Sequence, residues 1–266
     1  MNSETIGLVL SGGGMRGVAH VGAIKALEEH NIYPTHIAGT STGAIVGGLY
    51  AYGYTCDEMM QFFKTVQILD YKKYALNKPG FIDSGKYYSF FKKKFPEDSF
   101  SVLKKKLFIT ATNITDGKLE TFSEGELIKP ILASSAFPGL FSPVKIKDKL
   151  YIDGGVLNNF PLELIRKDCD TLIGVYLNLF KTASISDFKH FYNIIERAIN
   201  IRIAKSDEKK FIHFDVVIAP KNLTHYGLFD KKNIDAIYKI GYNTMNKTLI
   251  NNTLNIKKQE PSILQL

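Results

Sequence analysis

The chain predicts a largely parallel α/β sheet, and three features carry that expectation. Its first 52 residues alternate strand, glycine loop, helix, strand, tight turn and helix, the order in which right-handed βαβ units are built. Its strand candidates are short apolar runs, and its helix candidates carry an apolar stripe at helical spacing. At 266 residues the chain can bury one substantial core, so a single domain is expected.

Taken in order, Ile6 to Leu10 forms the opening strand and Ser11 to Gly17 a glycine-rich loop. Val18, Val21, Ile24 and Leu27 then recur every three residues and bury one stripe, while Lys25, Glu28 and Glu29 point outward. Asn31 to Pro34 ends that helix, His36 to Ala38 enters the turn Gly39-Thr40-Ser41-Thr42-Gly43, and Ala44 to Tyr52 continues as a helix of small residues. Residues 55–106 are less regular: Met59, Met60, Phe62, Phe63 and Val66 suit a helix, and Asn77-Lys78-Pro79-Gly80 a turn. Further strands are expected at Leu107–Thr112, Tyr151–Asp153, Thr171–Tyr176 and Phe214–Ala219, the last closed by Pro220. Phe188, Phe191, Ile195, Ala198 and Arg202 share a helix face, and Ile234, Ile237, Tyr238, Gly241, Met245 and Leu249 mark a final amphipathic helix. The expected organisation is one domain over residues 1–252 and a polar, frayed tail over 253–266.

Composition excludes several classes. With 45% hydrophobic, 12% aromatic and 23% charged residues the chain is neither disordered nor a disulfide scaffold, and Cys56 and Cys169 suit free thiols in a reducing compartment. The start MNSETIGLVL reads as a buried strand and not as a secretion signal, and no apolar run approaches the roughly 20 residues of a membrane span. A cytoplasmic location follows as the expectation, with peripheral attachment to the inner face of the membrane as its variant. The net charge of +8 suits anionic lipid headgroups as well as plain solubility. Residues 86–106 hold seven lysines against Glu97 and Asp98, interleaved with aromatics. That segment is either a solvated helix with its rings packed inward or a patch for an anionic membrane. Nucleic acid is the weakest reading, and a homodimer is only the general prior.

Chemistry concentrates at Ser41. A serine in a sharp strand-to-helix turn has its hydroxyl lifted above the end of the sheet, and Gly39 and Gly43 remove the Cβ atoms that would collide where strand and helix approach. The same pentapeptide also serves as a plain structural turn. A serine nucleophile needs a base and donors for the oxygen that becomes negative. Gly12, Gly13, Gly14, Met15 and Arg16 are the donor candidates, through backbone N–H groups, a helix N-terminus and the arginine charge. Gly12 to Gly17 also satisfies the dinucleotide pattern G-x-G-x-x-G, yet the second strand ends in Gly39-Thr40-Ser41 where a ribose-binding acid is needed. None of His20, His30, His36, His190, His213 and His225 has a sequence context that marks it as the base. The other candidate is Asp153, which a short strand delivers into the turn Gly154-Gly155; a bare Asp-Gly turn is its structural alternative.

These motifs together resemble the patatin-like phospholipase family. The resemblance rests on Gly12-Gly13-Gly14-Met15-Arg16-Gly17, on Gly39 to Gly43, on Asp153-Gly154-Gly155, on Ala133-Ser134-Ser135-Ala136-Phe137-Pro138 and on Gly241-Tyr242, and so spans residues 5 to 245. It implies a three-layer α/β/α fold with a mostly parallel sheet, a Ser41–Asp153 dyad without histidine, an oxyanion loop at Gly12 to Arg16, and no metal or cofactor. It further implies a lipid acyl hydrolase with an acyl-enzyme, residues 55–106 being the variable region that governs substrate access. A hydrolase of non-lipid esters or thioesters, or a weakly active regulatory protein on the same scaffold, are the rival readings. Headgroup and chain length are not readable.

Overall fold

The computed structural model describes residues 4–66, 79–180 and 182–251. Its strands are β1 (Ile6–Leu10), β2 (His36–Thr40), β3 (Lys106–Asn113), β4 (Lys118–Phe122), β5 (Val144–Ile146), β6 (Lys149–Asp153), β7 (Thr171–Val175) and β8 (Val216–Ile218). They form one sheet in the order β5-β6-β3-β2-β1-β7-β8, with β4 paired to β3. The run β3-β2-β1-β7-β8 is parallel throughout, and the β3-β4, β3-β6 and β5-β6 pairs are antiparallel. The helices are α1 (Val18–Glu29), α2 (Thr42–Tyr52), α3 (Cys56–Thr65), α4 (Tyr88–Lys92), α5 (Ile128–Ser134), α6 (Phe191–Lys209) and α7 (Ile234–Asn251).

Every residue of β1, β2 and β7 is buried, as a parallel sheet covered on both faces requires. Alternation along β1 shows the two layers. Ile6, Leu8 and Leu10 join the larger apolar cluster with α1, α2 and α7, whereas Val9 joins Phe160, Leu162, Ile165 and Tyr176 on the other face. This is the three-layer α/β/α arrangement. In the first layer α1 and α7 touch backbone to backbone, because a Cβ on Gly241 would stand 2.0 Å from the Ala19 carbonyl oxygen and one on Gly22 2.2 Å from that of Tyr238.

Three elements depart from the sequence pattern. The strand β4 and helix α5 carry no clean periodicity: β4 is half exposed, and α5 holds a proline and a serine in seven residues. Helix α6 runs to Lys209, yet its buried residues are Ile203, Ala204 and Asp207, and the face shared by Phe191, Ile195, Ala198 and Arg202 stays partly or fully exposed. The expected tail over 253–266 and Asn77-Lys78 of the expected turn lie outside the described residues.

Candidate active site

The register of β3 places Ser41 beside Asp153. Ile109 and Thr110 pair with both β2 and β4, while Ala111, Thr112 and Asn113 pair with both β4 and β6. A strand has two edges, so β2 and β6 lie end to end along one edge of β3 with β4 on the other. Thr40 closes β2 opposite Thr110 and Asp153 closes β6 opposite Ala111, the next residue along. Two strands separated by more than 100 positions in sequence therefore deliver their last residues to one point.

At that point Ser41 adopts φ 56° and ψ −123°, a conformation a non-glycine residue takes only when its surroundings impose it. The imposition is visible. A Cβ on Gly39 would lie 2.5 Å from the Gly43 carbonyl oxygen, and one on Gly43 would lie 2.2 Å from that of Leu10. The Ser41 N–H donates to Ser134 Oγ at 2.8 Å, and Ser135 Oγ donates to the Ser41 carbonyl at 3.3 Å. Ser41 also stands at the N-terminus of α2, where the helix dipole favours developing negative charge.

Ser41 Oγ donates to Asp153 Oδ2 at 2.7 Å, and the Gly155 N–H donates to Asp153 Oδ1 at 2.8 Å. Burial pushes the Asp153 carboxyl up to about 6, with those two hydrogen bonds pulling the other way. A carboxylate whose pKa sits near neutrality is a better proton acceptor than one at the ordinary value of about 3.9.

The glycine loop sorts the donor candidates. The Gly12 N–H is held by Asn159, to Oδ1 at 3.1 Å and to its carbonyl at 3.4 Å. The Met15 N–H donates to the Leu228 carbonyl at 2.7 Å, and that of Arg16 to Gly13 O at 3.2 Å. Those three amides are therefore engaged, which corrects the expectation for Gly12, Met15 and Arg16 as backbone donors. The N–H groups of Gly13 and Gly14 have no partner among the described residues. Both are aimed by what grips the carbonyl across each peptide plane. Asn178 Nδ2 and Ser11 Oγ donate to Gly12 O at 2.9 and 3.1 Å, and Arg16 Nε donates to Gly13 O at 3.2 Å.

The Arg16 charge takes a different form from the one expected. Its Nη2 forms a 2.6 Å ion pair with Glu196 Oε1 of α6, both side chains mostly buried. Arg16 braces the loop and ties it to α6. His20 is a brace too: its Nε2 donates to the Ser11 carbonyl at 2.8 Å, and burial lowers its pKa to about 4. Among the described residues its other nitrogen is buried without a partner, and no histidine lines the pocket around Ser41.

That pocket is apolar away from its floor. Ser41, Asp153 and Gly12 to Arg16 form the floor, while Phe62, Phe63 and Val66 (α3 and its end), Tyr87 and Phe91 form one wall. Ile199 and Ile203 of α6, Phe137, Phe141 and Phe229 line the rest of it, with Phe141 packed on Tyr87 at 6.1 Å between ring centroids. Thr42 Oγ1, Asn159 Nδ2 and Asn178 Oδ1 are buried at the floor without partners among the described residues. Sequence reasoning missed Asn159, Asn178, Glu196 and the backbone role of Ser134. Only Ser134 stood inside a quoted block; the others lie in ordinary polar contexts.

A serine at a strained strand-to-helix turn, a buried carboxylate in hydrogen-bond reach and an apolar pocket above them define the class of a phospholipase-type ester hydrolase. The model of the family of patatin-like phospholipases matches residues 8–165, more than half of the chain, and the chain belongs to that family. It is 29% identical over 294 residues to Lysophospholipase NTE1 of Lodderomyces elongisporus, covering 99% of this chain and 20% of that protein. To the Debaryomyces hansenii protein of the same name it is 33% identical over 182 residues, covering 66% of this chain and 12% of the other. The chain thus spans at most about a fifth of the length of these relatives. Among solved structures it resembles VipD of Legionella pneumophila (TM-score 0.56, 17% identity, 93% of this chain and 67% of that one). It also resembles the type III effector ExoU (TM-score 0.50, 16% identity, 93% and 53%). These two likenesses show the fold. No helix among the described residues is long and apolar enough to cross a membrane.

Proposed function

We propose that the domain hydrolyses lipid acyl esters through a Ser41–Asp153 dyad and an acyl-enzyme. The observation that carries this reading is the 2.7 Å hydrogen bond from Ser41 Oγ to the buried Asp153 carboxylate at the floor of an apolar pocket. Ser41 Oγ attacks the ester carbonyl and passes its proton to Asp153. The carbonyl oxygen becomes negative and is held by the N–H groups of Gly13 and Gly14. When the tetrahedral centre collapses, the bond to the leaving alcohol breaks and Asp153 returns the proton to it. Water then attacks the acyl-serine, Asp153 takes its proton, and the fatty acid leaves as Ser41 recovers its hydrogen.

The pocket walls favour an aliphatic acyl chain, since Phe62, Phe63, Phe91, Ile199 and Ile203 offer carbon surface worth about 0.8 kcal/mol per CH₂ buried. The name of the yeast relatives makes lysophospholipids the first substrates to offer. A panel of lysophospholipid, diacyl phospholipid, short-chain ester and thioester tests the reading, alongside labelling by a fluorophosphonate. Ser41→Ala is expected to abolish labelling and to lower kcat by about a thousandfold or more. A labelled wild type that cleaves only thioesters would replace the lipid substrate with a thioester one. A folded wild type that is neither labelled nor active would make this a binding protein.

A membrane contact through residues 86–106 has support only from charge. Lys92 and Lys93 are exposed, but Tyr87, Phe91, Phe95 and Phe100 are buried in the core. The rings that would enter a lipid interface face inward, which leaves electrostatic attraction alone.

A further inference from the structure

Of the twelve exposed large apolar side chains among the described residues, six fall within residues 180–201, namely Phe180, Ile185, Phe188 and, on α6, Phe191, Ile194 and Ile201, and a seventh, Phe81, packs on Phe191. Ile185 is 95% exposed, Ile194 58% and Ile201 60%. Isoleucines on a surface helix normally turn inward, and isolated exceptions need no explanation. A cluster of this size does need one.

The cluster is continuous with the pocket. The Phe191 ring packs on Phe81 at 5.2 Å between centroids, and the next residue, Tyr192, meets Phe229 of the pocket wall at 5.1 Å. One turn further, Glu196, Ile199, Asn200 and Ile203 line the pocket itself. Helix α6 therefore has two apolar surfaces. The inner one walls the pocket over Ser41, and the outer one, with Ile194 and Ile201, meets solvent.

Charge accompanies the outer surface. From residue 182 to the end of α6 the chain carries Lys189, Arg197, Arg202, Lys205 and Lys209 against Asp187, Glu196, Asp207 and Glu208, with Asp207 buried and paired to Lys210. Glu196 is taken up by Arg16, and Arg197 lies over the Phe180 ring at 4.0 Å. Apolar side chains flanked by cations are what a helix lying in a lipid headgroup layer presents.

We propose that the outer face of α6, with Ile185 and Phe188, docks on an anionic lipid surface, so that an acyl chain passes from the bilayer into the pocket without crossing water. The proposal rests on the lipid-hydrolase reading above. A second protein held over the same face would cover the route past α6 to Ser41, whereas a bilayer supplies the substrate through it. The passage also avoids exposing the acyl chain to water.

The test uses the full chain in a Ser41→Ala background, so that vesicles are not consumed. Phosphatidylcholine vesicles with and without phosphatidylserine are floated with this protein and with a form that also carries Ile194→Glu and Ile201→Glu. Both positions are exposed and glutamate is a good helix former, so circular dichroism and melting are expected to be unchanged. Vesicle affinity is expected to fall by about tenfold or more, with binding by the parent stronger when phosphatidylserine is present. With Ser41 intact, the Ile194→Glu, Ile201→Glu protein keeps its rate on a soluble short-chain ester and loses rate on ester presented in vesicles.

Equal flotation of the two proteins overturns the proposal. So does a parent dimer, by light scattering, that the double substitution dissociates without changing flotation, because the face would then join two copies. Flotation needs no catalysis. A protein that floats but cleaves no ester would break the hydrolase reading and leave the docking face standing.

Discussion

The two walls of the pocket are built to different standards. On the sheet side, Ser41, Asp153 and the glycine loop sit at the tips of β1, β2 and β6, and the loop carbonyls Gly12 O and Gly13 O are each gripped by side chains. On the other side, α6 buries only three of its 19 residues and is attached to the floor through the Arg16–Glu196 pair. Arg202 adds a hydrogen bond from Nη1 to the Val156 carbonyl at 2.6 Å. Fixed geometry belongs where charge develops, since catalysis by oriented donors tolerates little reorganisation. A lipid, by contrast, must enter past something, and the wall with fewer buried contacts is the one that local opening can move at least cost.

The largest effects should come from the fixed wall. Asp153→Asn keeps the shape and can still accept from the Gly155 N–H, but it turns an N–H₂ toward Ser41 Oγ and cannot accept the serine proton, so kcat should fall by about a hundredfold or more. In the native enzyme kcat/KM should fall as pH drops through about 6, where the carboxylate takes up a proton. Stability should run the other way. Burial raises the folded pKa above the unfolded value of 3.8, so the folded state binds the proton more tightly and loses stability as pH rises from 3.8 through about 6. The asparagine variant lacks that burden. It should melt higher than wild type above pH 6 and lose the advantage below pH 3.8. Equal melting across that range would mean that Asp153 is better solvated than its burial implies.

Gly14→Ala tests the same wall through the proposed oxyanion donors. Gly14 has φ +59°, and a Cβ there would stand 2.4 Å from the Leu228 carbonyl oxygen, so the peptide must rotate and its N–H lose aim. A kcat loss of about a hundredfold with KM nearly unchanged is expected on a soluble ester, since one such donor is worth about 3 kcal/mol. A rise in KM alone would assign the loop to substrate binding instead.

Smaller effects should follow where the two walls join. Glu196→Gln keeps the size of the side chain but removes the charge that holds Arg16, whose Nε fixes the Gly13 carbonyl and through it the Gly14 N–H. A loss in kcat of about three- to tenfold is expected, with fluorophosphonate labelling slowed in parallel. Glu196→Asp should recover part of it if the ion pair positions the loop. An unchanged kcat would leave Glu196 as a plain tie for α6.

The sequence was most legible where backbone constraint and chemistry coincide. Gly39 and Gly43 had to be glycine because strand and helix approach within reach of each other's carbonyls, and the strained residue between them, Ser41, carries the hydroxyl, so constraint and chemistry are both written in residue type. The parallel core was legible for a similar reason: β1 and β7 are apolar at nearly every position because both faces are covered. Asp153 could be nominated but not placed, since its meeting with Ser41 depends on β2 and β6 sharing an edge of β3. Pairing of that kind leaves no local signal. The same limit hid Glu196 and Asn159, polar residues whose partners are distant in sequence. For α6, periodicity gave a helix with a shared face from Phe188 to Arg202, whereas the helix starts at Phe191, and it left open what that face meets, because an apolar stripe looks alike whether it packs on a sheet, a pocket or a bilayer.

The smallest expected effect concerns the lysines that the sequence singled out. Replacing Lys92, Lys93 and Lys94 with Gln removes three charges from a segment whose rings are already committed inward: Phe91 stacks on Phe95 at 6.3 Å, and Tyr54 donates to the Lys94 carbonyl at 2.8 Å. Each charge near an anionic surface is worth up to about 1 kcal/mol, but only within a Debye length and only if that face turns toward the lipid. If α6 is the docking face, the triple substitution should weaken flotation on phosphatidylserine vesicles by less than about threefold at moderate salt, with no change on neutral vesicles. A loss larger than that of the Ile194→Glu, Ile201→Glu protein would reverse the comparison. The helical wall would then be a gate beside the docking surface, and the lysine-bearing wall would meet the membrane.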